Sequence, residues 1–168
     1  MYLLYMNLIE VAKELFLRTQ YFNEYIFYVR MSESNYSVFI LTNKATRFTK
    51  GKISKISSNL YAIKRQVNKT TFMKMLKRKS ITKYILMETY TYDRDLVKIL
   101  YDLNNVVILI DIKSNEVKIN SKTHDDLNYV CKVEIEKEKG KFKLPKEVIN
   151  VIQKCNNFDL KYSVYCIL

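Results

Sequence analysis

Asp93-Arg94-Asp95-Leu96-Val97-Lys98-Ile99-Leu100-Tyr101-Asp102-Leu103, followed after Asn104-Asn105 by Val106-Val107-Ile108-Leu109-Ile110-Asp111-Ile112, changes its hydrophobic period midway. Leu96, Val97, Ile99 and Leu100 recur at the spacing of one helix face, and Thr91 or Asp93 stands where a side-chain oxygen caps a first turn. Val106 to Ile112 is the most apolar run of the chain and reads as a strand covered on both faces. A helix feeding a buried strand is an α/β unit, and the residues after Ile112 extend it. Ser114-Asn115 turns the strand back into Glu116 to Asn120, Tyr129 to Glu136 reads as a further strand, Pro145 opens a helix over Lys146 to Cys155, and Tyr162 to Leu168 is an apolar strand. The expected fold is α/β (α+β), a mixed sheet flanked by three to four helices.

Working outward from that unit, residues 7–18 place Leu8, Val11, Ala12, Leu15 and Phe16 on one side and Asn7, Glu10, Lys13, Glu14 and Arg18 on the other, an amphipathic helix. Tyr25 to Arg30 and Tyr36 to Thr42 are β-rich runs joined by a Ser/Asn turn, the pattern of a hairpin. Lys44 to Ser58 reads as a loop or short strand, Leu60 to Lys64 as a strand, and Lys69 to Lys79 as a basic helix with Phe72, Met75 and Leu76 on its buried side. Tyr84 to Met87 is a short strand. Two lobes meeting near Lys83, a basic one over residues 1–83 and an α/β one over 84–168, stand beside a single compact domain as readings of the chain. No sequence repeat or low-complexity linker is visible.

Residues 35–87 contain no Asp or Glu but thirteen Lys and Arg, so this third of the chain carries +13 of a formal net charge of +12 and the rest sums to −1. Like charges confined to one part of a folded domain repel one another, and a polyanion that sheds its condensed counterions on binding offsets that repulsion. The expectation is a continuous nucleic-acid-facing surface built from Arg47, Lys50, Lys52, Lys55, Lys64, Arg65, Lys74, Lys77 and Arg78. Phe48 and Tyr61, set among these cations, are the candidates for stacking on bases, a contact worth about 1–3 kcal/mol each. The other tyrosines and phenylalanines sit mostly in apolar runs and read as core.

Three cysteines without a close pair argue against a disulfide framework or a zinc site. Reduced thiols in a cytoplasmic protein are expected, with no signal peptide and no membrane span. No cofactor is implied by this reading.

Two constellations are candidates for chemistry. Asp111-Ile112-Lys113 at a strand end, with Asp102 upstream, resembles the metal-dependent nucleases of the PD-(D/E)xK type, in which two carboxylates hold Mg²⁺ and a lysine orients the attacking water. A D-x-K tripeptide is common in a lysine-rich chain, so a solvated hairpin end is the favoured reading. His124, the single histidine, lies in a polar segment before a strand beside Asp125 and Asp126, and reads as a solvated loop, since a catalytic role needs long-range partners.

The order of elements from Asp93 to Leu168 resembles the C-terminal domain of the archaeal tRNA-splicing endonucleases. The residues that carry this are Asp95 to Leu103, then His124 ahead of Tyr129-Val130-Cys131-Lys132-Val133, then Lys161 ahead of Tyr162 to Leu168. In that family a Tyr, a His and a Lys cleave RNA without a metal, and His124 and Lys161 match the last two. The tyrosine is missing, because Glu116 to Thr123 holds none. The resemblance therefore implies a structural subunit, not catalytic on its own, that binds RNA rather than DNA beside a catalytic protein partner. The alternatives are the Mg²⁺-dependent nuclease and a small virus-type or adaptor protein that docks on an acidic protein surface.

Overall fold

The computed structural model describes residues 5–18, 25–33, 35–42, 52–57, 60–78, 82–157 and 160–168. These form an α+β fold with four helices, a nine-stranded mixed sheet and a second sheet of three short strands. In chain order the elements are β1 (Tyr5–Met6), α1 (Leu8–Arg18), β2 (Tyr25–Met31), β3 (Tyr36–Thr42), β4 (Lys52–Ser57), β5 (Leu60–Val67), α2 (Lys69–Leu76), β6 (Thr82–Thr89) and α3 (Arg94–Leu103). There follow β7 (Val106–Asp111), β8 (Glu116–Ser121), β9 (Tyr129–Lys132), β10 (Glu134–Glu136), β11 (Lys141–Lys143), α4 (Lys146–Asn157) and β12 (Tyr162–Ile167).

The large sheet runs β4-β5-β3-β2-β6-β12-β7-β8-β9. Its four central strands, β2, β6, β12 and β7, are parallel, and the outer strands on both sides are antiparallel. Strands buried on both faces have to be apolar throughout, and β12 is buried at all six positions. Alternate side chains go to opposite faces. On the first face of the sheet, Ile26, Tyr84, Leu86, Ile108 and Val164 join Val11 of α1 and Val151 of α4 in one cluster. On the second, Phe27, Ile85, Met87, Val107 and Tyr165 join Phe72 of α2 and Leu96 and Leu100 of α3 in the other.

The helices start where side chains cap them. Asn7 Oδ1 accepts from Glu10 N at 3.0 Å, Asn68 Oδ1 from Thr71 N at 2.8 Å, and Asp93 Oδ1 from Asp95 N and Leu96 N at 3.1 and 3.2 Å. The expected basic helix ends at Leu76, earlier than its charge pattern indicated, with Lys77 as its C-cap. The single strand expected over Tyr129 to Glu136 is two, divided at Val133. Lys132 still pairs with Glu116 in the large sheet, whereas Glu134 pairs with Lys143 in the small one. The buried Val133 makes that change of sheet, its N–H donating to Asn115 O at 3.1 Å.

A division at residue 83 does not coincide with a break in the sheet. β2 pairs along its length with β6, and β6 with β12. The structure instead shows a repeat invisible in the sequence. The order α1-β2-β3, then α2-β6, recurs as α3-β7-β8, then α4-β12. Outward from the central β6/β12 pair, the sheet runs β2, β3, β5 on one side and β7, β8, β9 on the other. Equivalent helices occupy opposite faces. This is the arrangement of a two-fold axis running along the strands. It also gives the crossovers β2 to β6, β6 to β7 and β7 to β12 a common hand, as parallel connections demand.

Candidate nucleic-acid interface

Of the predicted cationic residues, Arg47 and Lys50, with the stacking candidate Phe48, lie outside the described residues. Lys52, Lys55, Lys64, Lys74, Lys77 and Arg78 are exposed, and Arg65 is half-buried. They do not make the continuous face expected, because strand alternation sends neighbours to opposite sides. Lys64 stands on the first face, opposite Phe39 on β3 and Lys52 on β4. Its Nζ lies 5.7 Å from the centre of the Phe39 ring, a cation–π contact. Arg30 stands on the same face opposite Ser37, itself opposite Gln66, and Gln66 Nε2 donates to Ser37 Oγ at 2.9 Å. Arg65 and the Lys55–Tyr61 pair project from the second face, the side on which α2 packs with Lys74, followed past its end by Lys77 and Arg78. The charges wrap the β4–β5 margin of the sheet.

Carboxylates from the rest of the chain reach this margin at one place among the described residues. Lys69 Nζ pairs with Asp93 at 3.0 Å and Asp95 at 3.5 Å, and Asp93 leads the causes that raise the Lys69 pKa. Part of the charge has a structural use, since β4 is an edge strand and Lys52 and Lys55 guard it against pairing with another chain.

Two groups at the carboxyl ends of the parallel strands were not singled out in the sequence. Parallel pairing sets Arg30 on β2 opposite Glu88 on β6. Glu88 accepts from the Tyr28 hydroxyl at 2.5 Å and pairs with Arg30 Nε at 3.5 Å. Burial first, then Glu88, pushes the Tyr28 phenol far above its usual range. Beside this cluster, between the β2–β3 turn and the β6–α3 loop, lies a crevice of about 380 Å³ lined by Met31, Ser32, Glu33, Tyr36, Thr89, Tyr90, Thr91 and Asp93. Tyr90 is 65% exposed, and Tyr92, whose ring meets Tyr165 edge-on at 6.2 Å, is 51% exposed. Lys113 Nζ donates to Tyr90 O at 3.3 Å. Burial of the Tyr165 ring pushes its phenol up to about 12, and its hydroxyl accepts from Asp93 N at 2.9 Å, tying the loop to β12. No periodicity marks Tyr90. It is exposed because it follows the end of β6.

The predicted catalytic groups fall in two places. Asp102 is on the exposed side of α3 just before β7, and Asp111 closes β7, so the length of the strand, about 17 Å, separates them. Asp111 Oδ1 accepts from Ser114 N at 3.2 Å, which makes it a turn cap, and Lys113 serves Tyr90. The geometry does not gather Asp102, Asp111 and Lys113 around one ion. Among the described residues no three His, Cys, Asp or Glu side chains cluster as metal ligands. Cys131, Cys155 and Cys166 are not joined by a disulfide, and the last two are buried.

His124 lines a cavity of about 200 Å³ with Asp126, Leu127, Lys154 and Leu160. Lys161 follows Leu160, and its backbone holds Asn105 through Lys161 N to Asn105 Oδ1 at 3.3 Å and Asn105 N to Lys161 O at 2.9 Å. Lys122 N in turn donates to Asn105 O at 2.8 Å, so the His124 segment and Lys161 meet at the same end of β7. Lys154 Nζ bonds Asp126 at 3.1 Å and holds that carboxyl below its usual range. The cavity contains no tyrosine among the described residues. The nearby Tyr129 lines the adjoining depression instead, and its hydroxyl donates to Glu147 O at 2.7 Å. No described helix is long and apolar enough to cross a membrane. No family model, curated protein or solved structure matches this chain, so the reading of these sites rests on their own geometry.

Proposed function

We propose that this protein binds nucleic acid, RNA in preference to DNA, along the cationic β4–β5 margin, as a structural subunit of an RNA-processing endonuclease of the tRNA-splicing kind. The observation that carries the reading is the composition of the margin. β3, β4, β5 and α2 contain no carboxylate, while Lys52, Lys55, Lys64, Lys74, Lys77 and Arg78 stand in solvent. Edge protection accounts for two of these lysines and leaves the remainder to a polyanion. The subunit role is supported by the His124 cavity, where the histidine and the residue before Lys161 come together with no tyrosine among the described lining residues to act as base. The catalytic group then comes from a partner protein.

Electrostatic binding of this kind weakens steeply with salt. With about six phosphate contacts, affinity for an RNA oligonucleotide falls by roughly a thousandfold between about 50 and 200 mM salt, and Lys64→Ala flattens the log–log salt slope by about one. Fluorescence anisotropy of a labelled oligonucleotide across a salt series measures both. Absence of binding, or binding indifferent to salt, overturns the proposal.

A further inference from the structure

The crevice at the carboxyl ends of β2 and β6 has walls of a different chemistry from the margin. Glu33, Asp93, Ser32, Thr89 and Thr91 set carboxylate and hydroxyl oxygens among the apolar surface of Met31 and Tyr36, and no cation is among its described lining residues. The nearest cation, Lys69, is already paired with Asp93, so the wall does not favour an anion. It favours a flat, uncharged group with hydrogen-bond donors on its rim, particularly where an aromatic ring stands free at the mouth. Tyr90 supplies that ring. Among the described residues it is the most exposed of the large hydrophobic side chains, and the crevice includes it in its wall.

The surroundings supply what a phosphodiester needs on either side of such a group. Arg30 stands opposite Glu88, two residues before Tyr90. Lys113 reaches the Tyr90 carbonyl from the β7–β8 turn. On the first face, the register from Arg30 leads through Ser37 to Gln66 on β5, the strand that carries Lys64. Adjacent strands are about 4.8 Å apart, so β5 lies roughly 10 Å from β2. That row lies across the sheet from Met31 and Tyr36 of the crevice, so the cations beside Tyr90 are Arg30 and Lys113 at the strand ends.

We propose that the crevice is a base pocket for single-stranded nucleic acid, in which an unpaired base with an exocyclic amine stacks on Tyr90 and donates to the oxygen-lined wall. The inference rests on the nucleic-acid reading of the margin and adds the strandedness, the place and the base. A duplex keeps its bases stacked inside and offers the crevice only phosphates. A cytosine presents an amine where a uracil presents a carbonyl oxygen, and oxygens facing the oxygen-lined wall repel.

The chain contains no tryptophan, so Tyr90→Trp installs a single fluorescent reporter at the mouth of the crevice. Titration with a cytosine-rich single strand is expected to quench it, while a duplex of equal length binds without quenching and a uracil-rich strand binds several-fold more weakly. Tyr90→Ala in the otherwise unaltered chain is expected to weaken single-strand binding by about tenfold and to leave duplex binding unchanged. Tyr5→Ala, at an exposed tyrosine of the small sheet outside the crevice lining, is expected to change neither. Strands that bind with the expected salt dependence but neither quench the introduced indole nor respond to Tyr90→Ala sink the pocket and leave the cationic margin standing. Equal affinity for cytosine-rich and uracil-rich strands also overturns it. Failure of every oligonucleotide to bind removes both proposals together.

Discussion

Tyr162 and Asn104 show at the residue scale what burial does to polar atoms. The Tyr162 ring packs against Tyr84 with centroids 4.4 Å apart, and its hydroxyl, sealed in the first-face cluster, has no hydrogen-bond partner among the described residues. Such a group carries its desolvation cost of about 1–3 kcal/mol without return. Tyr162→Phe is therefore expected to raise stability by about 1 kcal/mol in urea unfolding, since it deletes the cost and keeps the ring. Tyr84→Phe is expected to lower it, because the Tyr84 hydroxyl donates to Asn156. Buried Asn104 uses both amide N–H groups, its Nδ2 donating to Ser163 Oγ at 2.7 Å and to Leu100 O at 3.3 Å, which closes α3 against β12. None of this is readable in the sequence. The run Tyr162 to Leu168 announces a buried strand, but which hydroxyl finds a partner depends on residues far away along the chain.

At the element scale the local signals held. The capped helix from Asp93, the strand from Val106, the turn at Ser114-Asn115 and the Pro145 helix start stand where hydrophobic period and turn chemistry put them, because each is decided within a few residues. Asp93 is the most heavily used of these signals. It caps α3, binds Lys69, and offers its backbone N–H to Tyr165, so it fastens both helices of the second face to the sheet. Asp93→Ala is expected to destabilise the protein by about 1–2 kcal/mol. Asp93→Asn is expected to recover the capping part and not the ion pair, and the two variants compared by thermal unfolding separate the contributions. The elements that stayed hidden, β1 and β11, are two and three residues long, too short for a period to register. The cationic margin was legible because a long absence of acids needs no partner to be seen. Its division between two faces was not, because that depends on strand register.

The whole molecule is a thick sheet with tyrosines sealed inside both faces, which sets its response to alkali. Tyr28, Tyr162 and Tyr165 are all raised, burial being the first cause in each, with Tyr165 at about 12 against an ordinary 10.0. A phenol raised in the folded state favours folding fully below about pH 10. As pH rises past that, the unfolded chain ionises first, and each such tyrosine withdraws about 1.4 kcal/mol per pH unit. Stability is expected to be flat with respect to these groups up to about pH 10 and to collapse between about pH 10 and 12, with tyrosinate absorbance appearing together with loss of circular dichroism. Separate transitions for the two signals would show that the phenols ionise inside the folded protein. Strand order, the two-fold repeat and the crevice at the strand ends belong to this scale too. They arise from pairings such as Tyr162 with Tyr84 and with Val106, and hydrophobic pattern says that a strand is buried without saying beside which neighbour.

That the last strand lies in the middle of the sheet has a consequence for the chain while it is being made. β6 and β7 emerge from the ribosome long before β12, each with one hydrogen-bonding border open, and no other strand of the sheet lies between them. The nascent protein is two half-sheets with their most adhesive margins bare, and its yield depends on how soon the closing strand slots in before a stranger's does.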